Sequence, residues 1–246
     1  MPARSTFAAA MGVLAALLAP AARAQPPEAR YPAMAAIGQY LMDRDAEIAL
    51  ARSAAPPSIS RDATVLVLGR GGYETAVKGT NGFVCMVERG WVGALDAPEI
   101  WNPKIRGADC LNPPAARSVL PLAELRTELV LAGRSRAEIL ARLKSAFDRG
   151  EAPALEPGAM SFMMGKGSYL TDTGAHNAAH VMFFMPFAEP APWGSDLPGS
   201  PIASGPYWSG YAKPDELAAS GLPPMRVFVI PAATWSDGSA SGAHVH

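Results

Sequence analysis

Between Ala63 and Glu88, three short β-prone runs follow one another with only glycine-bearing turns between them, a pattern that commits this part of the chain to a sheet. Ala63 to Leu68 (ATVLVL) is apolar and β-branched. Gly69-Arg70-Gly71-Gly72 turns the chain, Tyr73 to Val77 alternates, Gly79-Thr80-Asn81-Gly82 turns it again, and Phe83 to Glu88 is the third run. Turns this short predict an antiparallel meander. Further strands are expected at Met160 to Met164, Ser168 to Leu170, Val181 to Pro186 and Arg226 to Ile230. Helical patterns fall elsewhere. Pro32 to Ala55 is helix-forming, with Asp43 positioned to cap a second segment and Pro56-Pro57 expected to stop it. Leu122, Leu125 and Leu129 mark a helix that Gly133 ends. Ser135-Arg136-Ala137-Glu138 is a capping box for the next, which carries Ile139, Leu140, Leu143 and Phe147 on one face and stops at Gly150. Clustered rather than alternating elements predict an α+β fold: an antiparallel sheet of about six strands with helices over 33–55 and 121–149 packed against it. Long Pro/Gly-rich loops are expected at 90–117, anchored by Trp91, Trp101 and Cys110, and at 188–224.

Met1 to Ala24 reads as a secretory signal peptide: Arg4 at the start, an apolar run from Phe7 to Leu18, and Ala22-Arg23-Ala24 as a small-x-small site with cleavage after Ala24. The apolar run is well short of the roughly 20 residues that span a bilayer, so no transmembrane segment is expected. Removing the 24-residue leader from the 246-residue chain leaves 222, a length that suits a single globular domain over 25–246, periplasmic or secreted. The leader holds two of the 21 basic residues and none of the 22 acidic ones, so the mature chain carries 19 against 22, a net charge of −3 with His neutral. That balance argues against nucleic acid as a partner, since no basic excess exists to neutralise phosphates. A small molecule is the partner left open.

Export also changes how the two cysteines are read. In an oxidising compartment a lone pair joins, so a Cys85–Cys110 disulfide is expected, stapling the loop after the meander. Closing 25 residues stabilises the chain by on the order of 3 kcal/mol in the chain-entropy picture. The turn Gly69-Arg70-Gly71-Gly72 is not a phosphate loop, because a strand rather than a helix N-terminus follows it. Gly-x-Ser-x-Gly, His-Glu-x-x-His and Walker-type motifs do not occur.

All four histidines lie after residue 175: His176, His180, His244 and His246. His176 and His180 have the i, i+4 spacing of a Zn²⁺ or Cu²⁺ chelate on a helix, with Asp172, Glu189 or His244 as a third ligand. In extended chain the same rings would stand roughly 13 Å apart, at about 3.3 Å per residue, and could not share an ion. Met160, Met163, Met164, Met182 and Met185 sit within apolar strands, where methionine fills core gaps. Tyr207, Trp208 and Tyr211, with Trp193 before them, are aromatic rings with polar tips in a long loop, suited to a flat ligand or to pinning that loop.

Ile48-Ala49-Leu50-Ala51-Arg52-Ser53-Ala54-Ala55-Pro56 leading to Asp62-Ala63-Thr64-Val65, the stretch Gly79 to Arg89, and His180-Val181-Met182-Phe183-Phe184 together resemble an uncharacterised family of exported bacterial proteins. Asn81-Gly82-Phe83-x-Cys85 is the most specific part. The resemblance implies export and a single domain, brings no activity with it, and favours His180 over His176 as the residue of interest. The expected function is that of an exported, non-catalytic small-ligand-binding or envelope-associated protein whose pocket is bordered by His180, by the aromatic loop with Tyr207, Trp208 and Tyr211, and by Asn81 and Glu88. The alternative is a hydrolase-type or metal-dependent enzyme using His176 and His180 with Asp172 or Glu189.

Overall fold

The computed structural model describes residues 30–172, 178–186, 191–205 and 220–242; the expected leader and its expected cleavage site lie outside them. The fold is α+β. Among the described residues the strands are β1 (Thr64–Leu68), β2 (Tyr73–Val77), β3 (Val84–Glu88), β4 (Gly107–Leu111), β5 (Met160–Met163), β6 (His180–Met185), β7 (Ala203–Gly205) and β8 (Arg226–Pro231). They form one open eight-stranded sheet in the order β2-β1-β3-β4-β5-β6-β8-β7. The count exceeds the expected six because β4 lies inside the segment expected to be a loop over 90–117, and β7 inside that over 188–224. Conversely, the strand expected at Ser168 to Leu170 is reduced to a single bridge between Arg106 and Tyr169.

The meander is the main correction. β1 and β2 pair antiparallel as expected, but β3 lies beside β1 and parallel to it. Burial explains the order. β2 exposes Glu74 and Thr75 and suits a sheet edge, whereas β3 is buried along nearly its whole length and must be covered on both sides. Returning from β2 to the far side of β1 takes the chain across the start of β1, where Gly79 is required. A Cβ on Gly79 would stand 2.2 Å from the Thr64 amide nitrogen. Thr80 N donates to Asp62 O at 2.8 Å there, and the Asn81 side chain donates to Ile59 O at 2.8 Å while accepting from Phe83 N at 3.0 Å.

One face of the sheet is covered by α1 (Arg44–Arg52), whose first turn is capped by Asp43 accepting from Asp45 N at 3.1 Å and Ala46 N at 3.0 Å. The expected 33–55 helix is thus split: a 3₁₀ turn at Ile37–Gln39 precedes α1, and Pro57, rather than ending matters, starts α2 (Pro57–Ser60). Ala51 of α1 packs on this face with small residues beneath the helix, Ala63, Val65, Val87 and Ala108, together with the disulfide. Cys85 and Cys110 are direct cross-strand partners on β3 and β4, with Cα atoms 3.9 Å apart and both side chains wholly buried. The bond therefore joins two central strands, not a loop to the sheet.

The opposite face carries the larger core. Leu66, Leu68, Met86, Leu111, Met182 and Phe184 from the sheet meet Trp91 and the apolar sides of α3 (Pro113–Ser118), α4 (Leu120–Leu131) and α5 (Arg136–Asp148). The capping box of α5 is present, with Ser135 N donating to Glu138 Oε2 at 2.8 Å and Glu138 N to Ser135 Oγ at 3.3 Å. Gly133 and Gly150 close α4 and α5 at positive φ. Two buried arginines secure the irregular chain between β3 and β4. Arg89 pairs with Glu47 at 2.8 Å and donates to Tyr40 O at 2.9 Å, and Arg126 donates to Val92 O at 2.7 Å and Gly93 O at 2.6 Å.

Candidate functional site

β6 alternates strictly, turning His180, Met182 and Phe184 inward. His180 stands opposite Met163 on β5 and Pro231 on β8, on the face that carries the larger core. There the sheet lines a cavity of about 390 Å³. Met163, Leu170, Met182, Val227, Val229 and Pro231 line it with Gly205 and Ala178, and His180 is the only ionisable side chain among the described residues that do so. His180 is 9% exposed, and its Nδ1 lies 2.9 Å from Ala178 O. A carbonyl oxygen only accepts, so Nδ1 carries the hydrogen and, in the neutral ring, Nε2 is an acceptor. Burial pushes the His180 pKa down, while the Ala178 carbonyl pulls it the other way.

A second cavity of about 190 Å³ lies beyond Leu170, which lines both. Glu88 and Glu99 border it. Glu88 is also on the His180 face, opposite Gly107, and beside it on β4 is Asp109, wholly buried. Burial pushes the Asp109 carboxyl up to about 6, with the Ser161 hydroxyl, the Glu88 carboxyl and the Cys110 amide acting in the opposite direction. By register Asp109, Met163 and His180 share one row across the sheet, with Met163 between the two ionisable groups. The separation is therefore two strand spacings, about 10 Å. No carboxylate orients the imidazole through that row; its orientation comes from a backbone carbonyl.

The other sequence candidates are dispersed. Asn81 is engaged in the crossover turn described above, leading into β3, which β4 and β5 separate from β6. Asp172 accepts from Arg30 at 2.6 Å, Tyr31 at 2.5 Å, Lys104 at 3.3 Å and the Tyr169 hydroxyl. The Tyr169 and Tyr31 hydroxyls hold its carboxyl well below the usual carboxylate range, so it acts as a tether for the start of the described chain. Trp193 stacks at 5.4 Å on Phe228 and remains half exposed. His176, Glu189, Tyr207, Trp208, Tyr211, His244 and His246 lie outside the described residues. Among the described residues no three His, Cys, Asp or Glu side chains are grouped so as to hold a metal ion, and no helix is long and apolar enough to cross a membrane.

Sequence reasoning missed Asp109 and Ser161. Asp109 sits between Ala108 and Cys110 in a stretch whose flanking Pro, Gly and Asn residues read as loop, and only the pairing of β4 with β3 reveals it as an inward-facing acid. No protein-family model, curated protein or solved structure matches the chain.

Proposed function

We propose that this is an exported, non-catalytic small-ligand-binding protein of the bacterial cell envelope, and that its ligand occupies the cavity at His180. The observation that carries the reading is the cavity itself. Its volume of about 390 Å³ lies within the roughly 300 to 1,000 Å³ of small-molecule sites, and among the described residues it has the chemistry of one: apolar walls with a single convergent polar side chain. Support for binding rather than turnover comes from the His180 ring, whose hydrogen bond goes to Ala178 O, whereas a general base is ordinarily oriented toward a nucleophile or a carboxylate. Gly205, the last residue of β7, lines the cavity, and Glu88 borders the neighbouring one. Export, with cleavage after Ala24, follows from the leader and agrees with a disulfide-bonded core.

The binding test uses the mature chain with ¹³C-methyl-labelled methionine, titrated with p-xylene and n-octane. Saturable shifts of the Met163 and Met182 methyl signals, with Met42 on the α1 side unmoved, are the expected result. Absence of any saturable shift at both methyls would overturn the reading. Export is checked separately by the N-terminal residue of protein recovered from the periplasm, expected to be Gln25.

A further inference from the structure

We infer that the ligand of this cavity is an apolar molecule bearing a hydroxyl group, an alcohol or phenol, whose hydrogen is donated to His180 Nε2. The inference rests on the binding reading above and specifies its chemistry. His180 lines the cavity and is nine-tenths buried, with Nδ1 committed to Ala178 O at 2.9 Å. Nε2 is then a lone-pair acceptor, and among the described residues no donor meets it. Once a ligand excludes water from the cavity, an acceptor left unpaired against apolar walls is costly, so a ligand that satisfies it is favoured over one that does not. A carboxylate would set acceptor against acceptor. An ammonium would donate, but it would carry a full charge onto walls made of Met163, Met182, Val227 and Val229. Asp109, the nearest acid in the same cross-strand row, is separated from the ring by Met163 and offers no counter-charge at the cavity. A neutral hydroxyl on an apolar body meets each of these conditions.

The test compares three probes of closely related shape on the intact mature protein: p-xylene, p-cresol, and 4-methylanisole, which accepts but does not donate. p-Cresol is expected to bind about tenfold more tightly than 4-methylanisole, as one hydrogen bond to a buried acceptor implies. His180→Phe is expected to abolish that preference while p-xylene still binds. If p-xylene and n-octane both fail to bind, the binding reading itself falls. If p-xylene binds but the three probes do not differ, or 4-methylanisole is preferred, or the preference survives in His180→Phe, the hydroxyl inference is overturned and the binding reading stands. Should His180→Phe not fold, ¹⁵N spectra of the unsubstituted imidazole decide the matter. A protonated Nδ1 and a bare Nε2, whose signal moves toward the protonated range on adding p-cresol, are expected. A protonated Nε2 overturns the inference.

Discussion

Cys110 and Asp109 are neighbours on β4 and point to opposite faces of the sheet, and the two faces they enter are built on different terms. Under α1 the residues are mostly Ala and Val, so helix and sheet approach closely, and the space that remains is taken by the Cys85–Cys110 bond. On the other face long, flexible or bulky side chains predominate, Met86, Met163, Met182 and Phe184 among them, and the buried polar groups Glu88, Asp109, Ser161 and His180 share it with two cavities. Close packing with a covalent staple maximises stability and leaves nothing for a ligand to enter. Unfilled volume and buried polar groups reduce stability, which is the usual condition of a binding surface. The α1 face thus holds the closer packing and the staple, and the other face the unfilled volume.

The largest expected effect tests the stapled face. Replacing Cys85 and Cys110 together by alanine should reduce unfolding free energy by about 3 kcal/mol, read from urea midpoints, while leaving p-xylene affinity at the His180 cavity nearly unchanged. An equal loss of affinity would mean the two faces are not separable. The next effect has the opposite sign. Asp109 binds protons more tightly folded than unfolded, so the native state holds more protons between about pH 4 and pH 6 and stability falls as pH rises through that window. Asp109→Asn should remove that fall and leave the protein about 2 kcal/mol more stable than the unsubstituted chain at pH 8, with little difference at pH 4. His180, whose pKa is lowered by burial, acts the other way: its contribution is full above the unfolded value near 6.5 and is lost as pH falls. The difference between the two proteins isolates Asp109 from this, and a difference that grows toward acid pH would refute the assignment.

Legibility in the sequence differed between the faces as well. The capped helix at Ser135, the Asp43 cap, the β1–β2 hairpin and the cysteine pair were readable because each depends on local chemistry or on compartment. The position of β3 was not, since a meander and the observed order use the same strand directions and differ only in which neighbour a fully buried strand needs. β4 was hidden for a related reason: five residues starting with glycine and containing Asp109 look polar until the partners on both sides are known. Nothing in the local sequence marks Arg89 and Arg126 as wholly buried, because hydrogen-bond acceptors that hold them come from residues distant in sequence. Of the candidate site, His180 was legible as a histidine opening an apolar strand, while its apolar surroundings come from β5, β8 and Leu170 and carry no motif.

The smallest effect on stability is also the most direct probe of why the cavity face is loosely filled. Gly107 on β4 has no side chain, and an added Cβ would come within 2.9 Å of the ends of both Leu170 and Met163. Both are flexible tips and both line the cavity, so Gly107→Ala should be accommodated by their displacement at a cost of about 1 kcal/mol. Gly165 gives the matching probe of the other face: its Cβ would meet Ser53 Oγ at 2.5 Å and Ala108 Cβ at 3.1 Å, and that hydroxyl is already bound to Leu50 O at 2.6 Å. With no flexible tip to move, Gly165→Ala should cost more in stability and leave ligand affinity alone. Gly107→Ala should do the reverse, altering p-xylene affinity and the Met163 methyl shift for little loss of stability. Equal stability losses with unchanged affinity in both variants would remove the distinction between the faces, because it requires that crowding beside Asp109 be relieved into the cavity and crowding beside the disulfide have nowhere to go.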